Sequence, residues 1–148
     1  MLPISHGVPQ DAILSPILFR IYLNDLPNVP QECCLESYVD DSNLFLSFPL
    51  ASTNITLRKL EDDLLKVTTC CCENHLFINQ DKMKFMLLGT KQLMGRQLTC
   101  PTVSFLDKSL TPLTSAKDLG MILDSHFTYD NHISQFVSSC LAKLVQIN

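Results

Sequence analysis

Two adjacent carboxylates, Asp40 and Asp41, stand between two apolar extended runs, residues 35–39 and 43–48. In a regular strand neighbouring side chains point to opposite faces, so this pair could share a ligand only where the chain turns. Carboxylate oxygens suit a hard cation such as Mg²⁺, which keeps several waters and prefers carboxylate and phosphate donors. Two such ions can clamp the attacking and leaving oxygens of an in-line phosphoryl transfer. Asp and Ser also favour turns for backbone reasons alone. Taken by itself, the tetrapeptide Tyr38-Val39-Asp40-Asp41 is better read as ordinary turn chemistry.

The elements that must position this turn are legible around it. Ser15-Pro16 gives a helix start, with Ser at the cap and Pro at the first helical position. Ile13, Leu14, Ile17, Leu18, Ile21 and Tyr22 recur at helical spacing and are expected to be core, and Leu26-Pro27 closes the segment. Residues 35–39 and 43–48 read as a β-hairpin joined by Asp40-Asp41-Ser42. From Thr53 to His75 the pattern is helical, with Leu57, Leu60, Leu64, Val67 and Cys71 on one stripe. Arg58 with Asp62, Lys59 with Asp63, and Asp62 with Lys66 are spaced as i,i+4 ion pairs on a solvated face.

Further on, residues 83–88 form a short strand ended by Gly89. Residues 103–106 and 110–113 flank Asp107-Lys108-Ser109 as a second hairpin, with Pro112 marking an edge, and residues 118–123 form another strand. A last helix carries Ile133, Phe136, Val137, Cys140, Leu141, Leu144 and Val145 on one face, with Asp130 or Asn131 as its cap. This order predicts an α+β domain, one largely antiparallel sheet backed by helices.

Composition narrows the class without choosing a function. At 148 residues the chain has room for one ordinary domain. It has no apolar run long enough for a membrane span and no signal-peptide pattern at its start, so an intracellular protein with no membrane partner is expected. Its seven cysteines include Cys33-Cys34 and Cys70-Cys71-Cys72 in consecutive runs, with no CxxC pair. Cys72 and His75 have a ligand spacing but no second pair, so reduced thiols are expected rather than zinc. His6, His75, His126 and His132 show no ligand spacing. The net charge of −4, with no Lys or Arg block, lacks the basic footprint of a nucleic-acid binder.

The text around the turn decides its meaning. Gly7-Val8-Pro9-Gln10, then Ile13 to Phe19, then Ile21-Tyr22-Leu23-Asn24-Asp25-Leu26-Pro27, resembles the segment preceding the Tyr-x-Asp-Asp hairpin in reverse transcriptases of non-LTR (LINE-like) retrotransposons. Asn74 to Lys82 looks like that family's Asn-x-x-Lys motif, and Lys117 to Asp124 looks like its strand before the thumb. The resemblance covers nearly the whole chain, in the family's order.

It implies an RNA-directed DNA polymerase: a partial palm over residues 1–125 and the first helix of the thumb over 126–148. Asp40 would be a principal ligand of two catalytic Mg²⁺ ions, with Asp41 beside it. Tyr38 and Val39 would lie near the primer end and incoming nucleotide. Gly7, Pro9 and Gln10 would lie against the template and nascent base pair. Lys82 would sit near the triphosphate as proton donor or charge stabiliser, and Leu119-Gly120 would help hold the primer. The implied partners are an RNA template, a DNA primer and a deoxynucleoside triphosphate.

The chain also departs from that pattern. Asp11-Ala12 stands where the family commonly has Gly and Ser, which is expected to weaken template binding. Cys70 stands where Trp is common. The earlier strand bearing a further metal-binding Asp, and the fingers, have no counterpart here. The expectation is therefore a fragment that does not hold the two ions or polymerise alone, with exposed apolar surface and sheet edges. The alternative is a non-enzymatic retroelement relic.

Overall fold

The computed structural model describes residues 13–96 and 100–147. The chain divides into two compact units, Met1–Ser47 with Arg58–Ile78, and Phe48–Leu57 with Asn79–Asn148.

The first unit begins with α1, Ser15–Tyr22. Leu14 stands at its N-cap, so Ser15 and Pro16 are the first two helical residues, one position earlier than the sequence suggests. Proline is tolerated there because first-turn amides have no intrahelical acceptor. The apolar stripe of α1 is not core: Ile13 is 93% and Ile21 66% exposed, and Leu14, Ile17, Leu18 and Tyr22 are exposed as well. The side-chain spacing is right for a buried face, yet no described residue covers it. Tyr22 does reach across the unit, its hydroxyl donating to the Asn74 carbonyl at 2.5 Å.

A 3₁₀ turn, Leu26–Asn28, then leads into the hairpin β1 (Cys34–Tyr38) and β2 (Asp41–Phe45), paired antiparallel with Leu35 opposite Leu44. α2 spans Thr53–Glu73 and supplies the surface on which the hairpin rests. Leu26 and Leu35 bury against Val67 and Cys71, with Leu23, Val29, Leu44, Leu76 and Ile78 packed around them. Of the stripe read from the sequence, Val67 and Cys71 form the working face here, while Leu57, Leu60 and Leu64 stay half-buried. α2 ends in a Schellman motif, in which the amides of His75 and Leu76 donate to the carbonyls of Cys72 and Cys71 at 2.9 and 2.8 Å. His75 takes the left-handed position, φ 55°, that glycine more often fills.

The second unit is built of short ladders. β3 (Phe85–Met86) pairs in parallel with β6 (Pro112–Leu113), β4 (Val103–Phe105) antiparallel with β5 (Lys108–Leu110), and β7 (Ser115–Asp118) antiparallel with β8 (Met121–Asp124). The short α3, Lys91–Met94, lies between β3 and β4. The last helix, α4, spans Asp130–Ile147. The class is α+β, as expected, but the described strands form four separate two-stranded ladders rather than one sheet. Alternation within a run sets the pairing of each hairpin; it carries little about which hairpins join. Ile133, Phe136, Val137, Leu141, Leu144 and Val145 are exposed along α4. No helix among the described residues is long and apolar enough to cross a membrane.

Candidate metal-binding turn and its supports

The ladder of β1 and β2 continues to the pair Tyr38–Asp41, leaving Val39 and Asp40 as a two-residue loop. The turn thus sits one residue earlier than the Asp40-Asp41-Ser42 loop expected from the sequence. Directly opposed Ser37 and Ser42, whose hydroxyls lie 2.8 Å apart, extend the ladder into that span. Two-residue hairpin loops match the strand twist when their first residue has positive φ, a place normally given to Gly, Asn or Asp. Here it is Val39, at φ 56°. A β-branched side chain at positive φ is a real outlier, and such strain concentrates at functional sites.

The consequence is a tip that presents both carboxylates outward. Asp40 occupies the second loop position, and Asp41 opens β2 on the hairpin face shared by Tyr38, Glu36 and Asn43. The other face carries Leu35 and Leu44, which pack into the core. Tyr38, Val39, Asp40 and Asp41 are all exposed. Among the described residues no group of three or more His, Cys, Asp or Glu converges as a metal cage. The donors at the tip are of the right kind for a hard cation and leave most of an octahedral shell to other oxygens.

The base of the hairpin is held by a residue the sequence reading placed elsewhere. Asp63 is fully buried. One of its carboxylate oxygens accepts the amides of Gln31, Glu32 and Cys33 at 3.0, 2.7 and 2.8 Å. The other accepts from Lys66 Nζ at 2.8 Å, which also reaches Gln31 Oε1 at 3.0 Å. Burial disfavours the charge, but Lys66 and the three amides outweigh it and hold the carboxyl well below the usual carboxylate range. Burial, the Asp63 charge and the hydrogen bond to Asp63 together push the Cys33 thiol up to about 12.

The i,i+4 pairs expected on α2 are not formed; Lys59 turns to Glu32 at 2.9 Å and Lys66 to Asp63. One signal could have found Asp63. It lies three residues after Leu60 and four before Val67, inside the apolar stripe rather than opposite it.

The remaining expected site residues lie in the second unit or beyond the described residues. Lys82 is exposed and closes a turn in which the Asp81 amide bonds Asn79 Oδ1 at 3.0 Å and the Lys82 amide bonds the Asn79 carbonyl at 3.2 Å. Asp81 itself pairs with Lys108. Leu119 and Gly120 are the two-residue loop of the β7–β8 hairpin, at φ 42° and 87°, the double positive φ of a type I′ turn. Gly7, Pro9 and Gln10 lie outside the described residues.

The expected α4 caps, Asp130 and Asn131, are instead helical residues. Asp124 does related work upstream: it accepts the Tyr129 amide at 2.7 Å, the His126 amide at 2.9 Å and the Thr128 hydroxyl at 3.2 Å. Partial burial opposes its charge, yet these donors hold its carboxyl down at about 2.

The fold is thus an α+β chain with a hairpin tip strained at Val39 and bearing two adjacent, exposed carboxylates. Residues 1–123 match the family described as reverse transcriptase (RNA-dependent DNA polymerase), and the chain belongs to that family. It is similar to the "Probable RNA-directed DNA polymerase from transposon BS" of Drosophila melanogaster, at 28% identity over 95% of this chain and 16% of the relative. It is also similar to the RNA-directed DNA polymerase from mobile element jockey of the same species, at 24% identity over 99% of this chain and 16% of the relative. The jockey polymerase of Drosophila funebris matches at 24% identity over 98% of this chain and 16% of its own length. The resemblance to reverse transcriptase domains of non-LTR retrotransposons is borne out by these relatives. The chain spans about one sixth of the length of the curated relatives it matches. No solved structure matches it.

Proposed function

We propose that this chain is part of an RNA-directed DNA polymerase, with a partial palm over residues 1–125 and the start of the thumb over 126–148. Its implied setting is intracellular. The observation that carries the reading is the hairpin tip, with Asp40 in a two-residue loop strained at Val39 and Asp41 at the start of β2, in a chain of the reverse transcriptase family.

In this reading Asp40 is a principal ligand of Mg²⁺ and Asp41 completes the carboxylate side of the site. Bound there, the metal would supply charge stabilisation to the transferring phosphoryl group. The resemblance assigns Tyr38 and Val39 to the primer end and incoming nucleotide, and Gly7, Pro9 and Gln10 to the template. The resemblance assigns Lys82 to the triphosphate as proton donor or charge stabiliser, and Leu119-Gly120 to holding the primer. Two carboxylates are too few for the site, so this chain alone extends no primer; other segments of the polymerase complete it.

The test is a chimera in which this chain replaces the matching segment of the transposon BS polymerase, assayed by primer extension on an RNA template. The chimera is expected to be active. Asp40→Ala is expected to lower extension by about a thousandfold or more, the loss of several kcal/mol of charge stabilisation. An active chimera indifferent to Asp40→Ala refutes the assignment.

A further inference from the structure

The fully buried carboxylate of Asp63 needs a reason. An ionised group is costly to bury unless it is paired and hydrogen-bonded, and an apolar side chain at this place on the α2 stripe would pack without that cost. What a leucine would not supply is direction, since apolar burial is non-directional whereas charge-assisted hydrogen bonds have fixed geometry. Three consecutive amides converge on one Asp63 oxygen, and the next residue, Cys34, begins β1. Beyond Leu35 and Leu44 the ribbon is exposed from Glu36 through Asn43. A two-stranded ribbon is marginal by itself, so its aim is set at its base.

We propose that Asp63 is a positioning residue for the carboxylate turn: its grip on the amides of residues 31–33 fixes the angle at which β1 leaves α2, and so where Asp40 and Asp41 stand. The inference rests on reading that turn as a cation site. The leverage is large. Five residues of β1 at about 3.3 Å each make an arm of roughly 17 Å, so a 10° tilt at the base moves the tip by about 3 Å. Catalytic constellations need placement to within about 0.5 Å. Lys66, bonded to both Asp63 and Gln31, closes the far side of the same grip.

The experiment uses the 148-residue chain and amide NMR with Mn²⁺ as the probe. Asp63→Asn removes the charge from the grip. Val67→Ala loosens the apolar packing under the same hairpin and leaves the grip intact. In the unaltered chain Mn²⁺ is expected to broaden the amides of residues 38–42 selectively. Asp63→Asn is expected to need about tenfold more Mn²⁺ for equal broadening, and Val67→Ala to stay within about twofold, one hydrogen-bonded buried charge being worth about a factor of ten or more. Equal behaviour of the two variants, or of Asp63→Asn and the unaltered chain, overturns the proposal.

Absence of selective broadening in the unaltered chain shows that the two carboxylates alone do not hold the ion, and the chimera then decides the cation reading. The grip is then judged by hydrogen exchange, where the ladder amides of β1 and β2 must exchange about tenfold faster in Asp63→Asn than in Val67→Ala. Should Asp63→Asn fail to fold, native-state exchange of the unaltered chain decides. The ladder must open together with the amides of Glu32 and Cys33; a ladder that opens while those two stay protected refutes the role.

Discussion

Val39→Asn should stabilise the hairpin, because the strain at the turn can be relieved without moving the carboxylates. A non-glycine residue held in the left-handed region costs about 1–2 kcal/mol, and β-branching places Val at the upper end. Asn visits that region readily. Against the relief stands lost apolar burial: Val39 is 47% exposed. About half of a valine's full burial, roughly 0.8 kcal/mol, is therefore forfeited. The net gain is about 0.5–1 kcal/mol, which slows opening of the ladder about two- to fivefold. Val39→Gly gains less, since its extra freedom in the unfolded chain subtracts a further ~0.4–1 kcal/mol. Val39→Ile keeps the β-branch and should gain nothing. Hydrogen exchange of the β1 and β2 ladder amides measures all three. Unchanged or faster exchange in Val39→Asn, or slower exchange in Val39→Ile, refutes the reasoning.

Three further outcomes follow from the same geometry. Asp63 has a folded pKa below its unfolded value, so its stabilisation is present above the ordinary carboxylate range and is lost as pH falls below about 4. Acid titration followed by circular dichroism should therefore show a steeper loss in the unaltered chain than in Asp63→Asn, and equal slopes would count against it. The Cys33 thiol, pushed up to about 12, should resist iodoacetamide at pH 8 at least about a hundredfold better than exposed Cys34, Cys72 and Cys140. Peptide mass spectrometry reads this, and comparable labelling of Cys33 would contradict its placement. Gly120 sits at φ 87° with open space around a β carbon, so Gly120→Val should cost about 1–2 kcal/mol from backbone strain alone. A variant with an unshifted denaturation midpoint would show that the β7–β8 loop relaxes freely.

Why some of this was legible and some was not follows from where each signal resides. α2 could be read from its stripe because Val67, Cys71 and their neighbours repeat at the period of the helix itself. The reading overran its end by two residues because His75 stops the helix in a left-handed conformation that only Gly or Asn would have advertised. The hairpin was legible from its alternating runs, but its turn came one residue too late. Val39 looks like a strand residue, and its use as a loop residue is a strain that propensity argues against. The faces of α1 and α4 were visible in spacing, whereas what covers them is not a property of spacing.

Asp63 shows the deeper limit. Its neighbours Lys59 and Lys66 invite a local ion-pair reading, and local patterns count only residues a turn apart. Beyond Lys66, its partners are amides about thirty positions upstream, which carry no side-chain signature at all. A carboxylate inside an apolar stripe is the available clue, because burial there is tolerable only if donors arrive from elsewhere. In this chain they arrive from the residues that launch β1. The carboxylate turn is thus written locally, while the contact that holds its base is written across the chain.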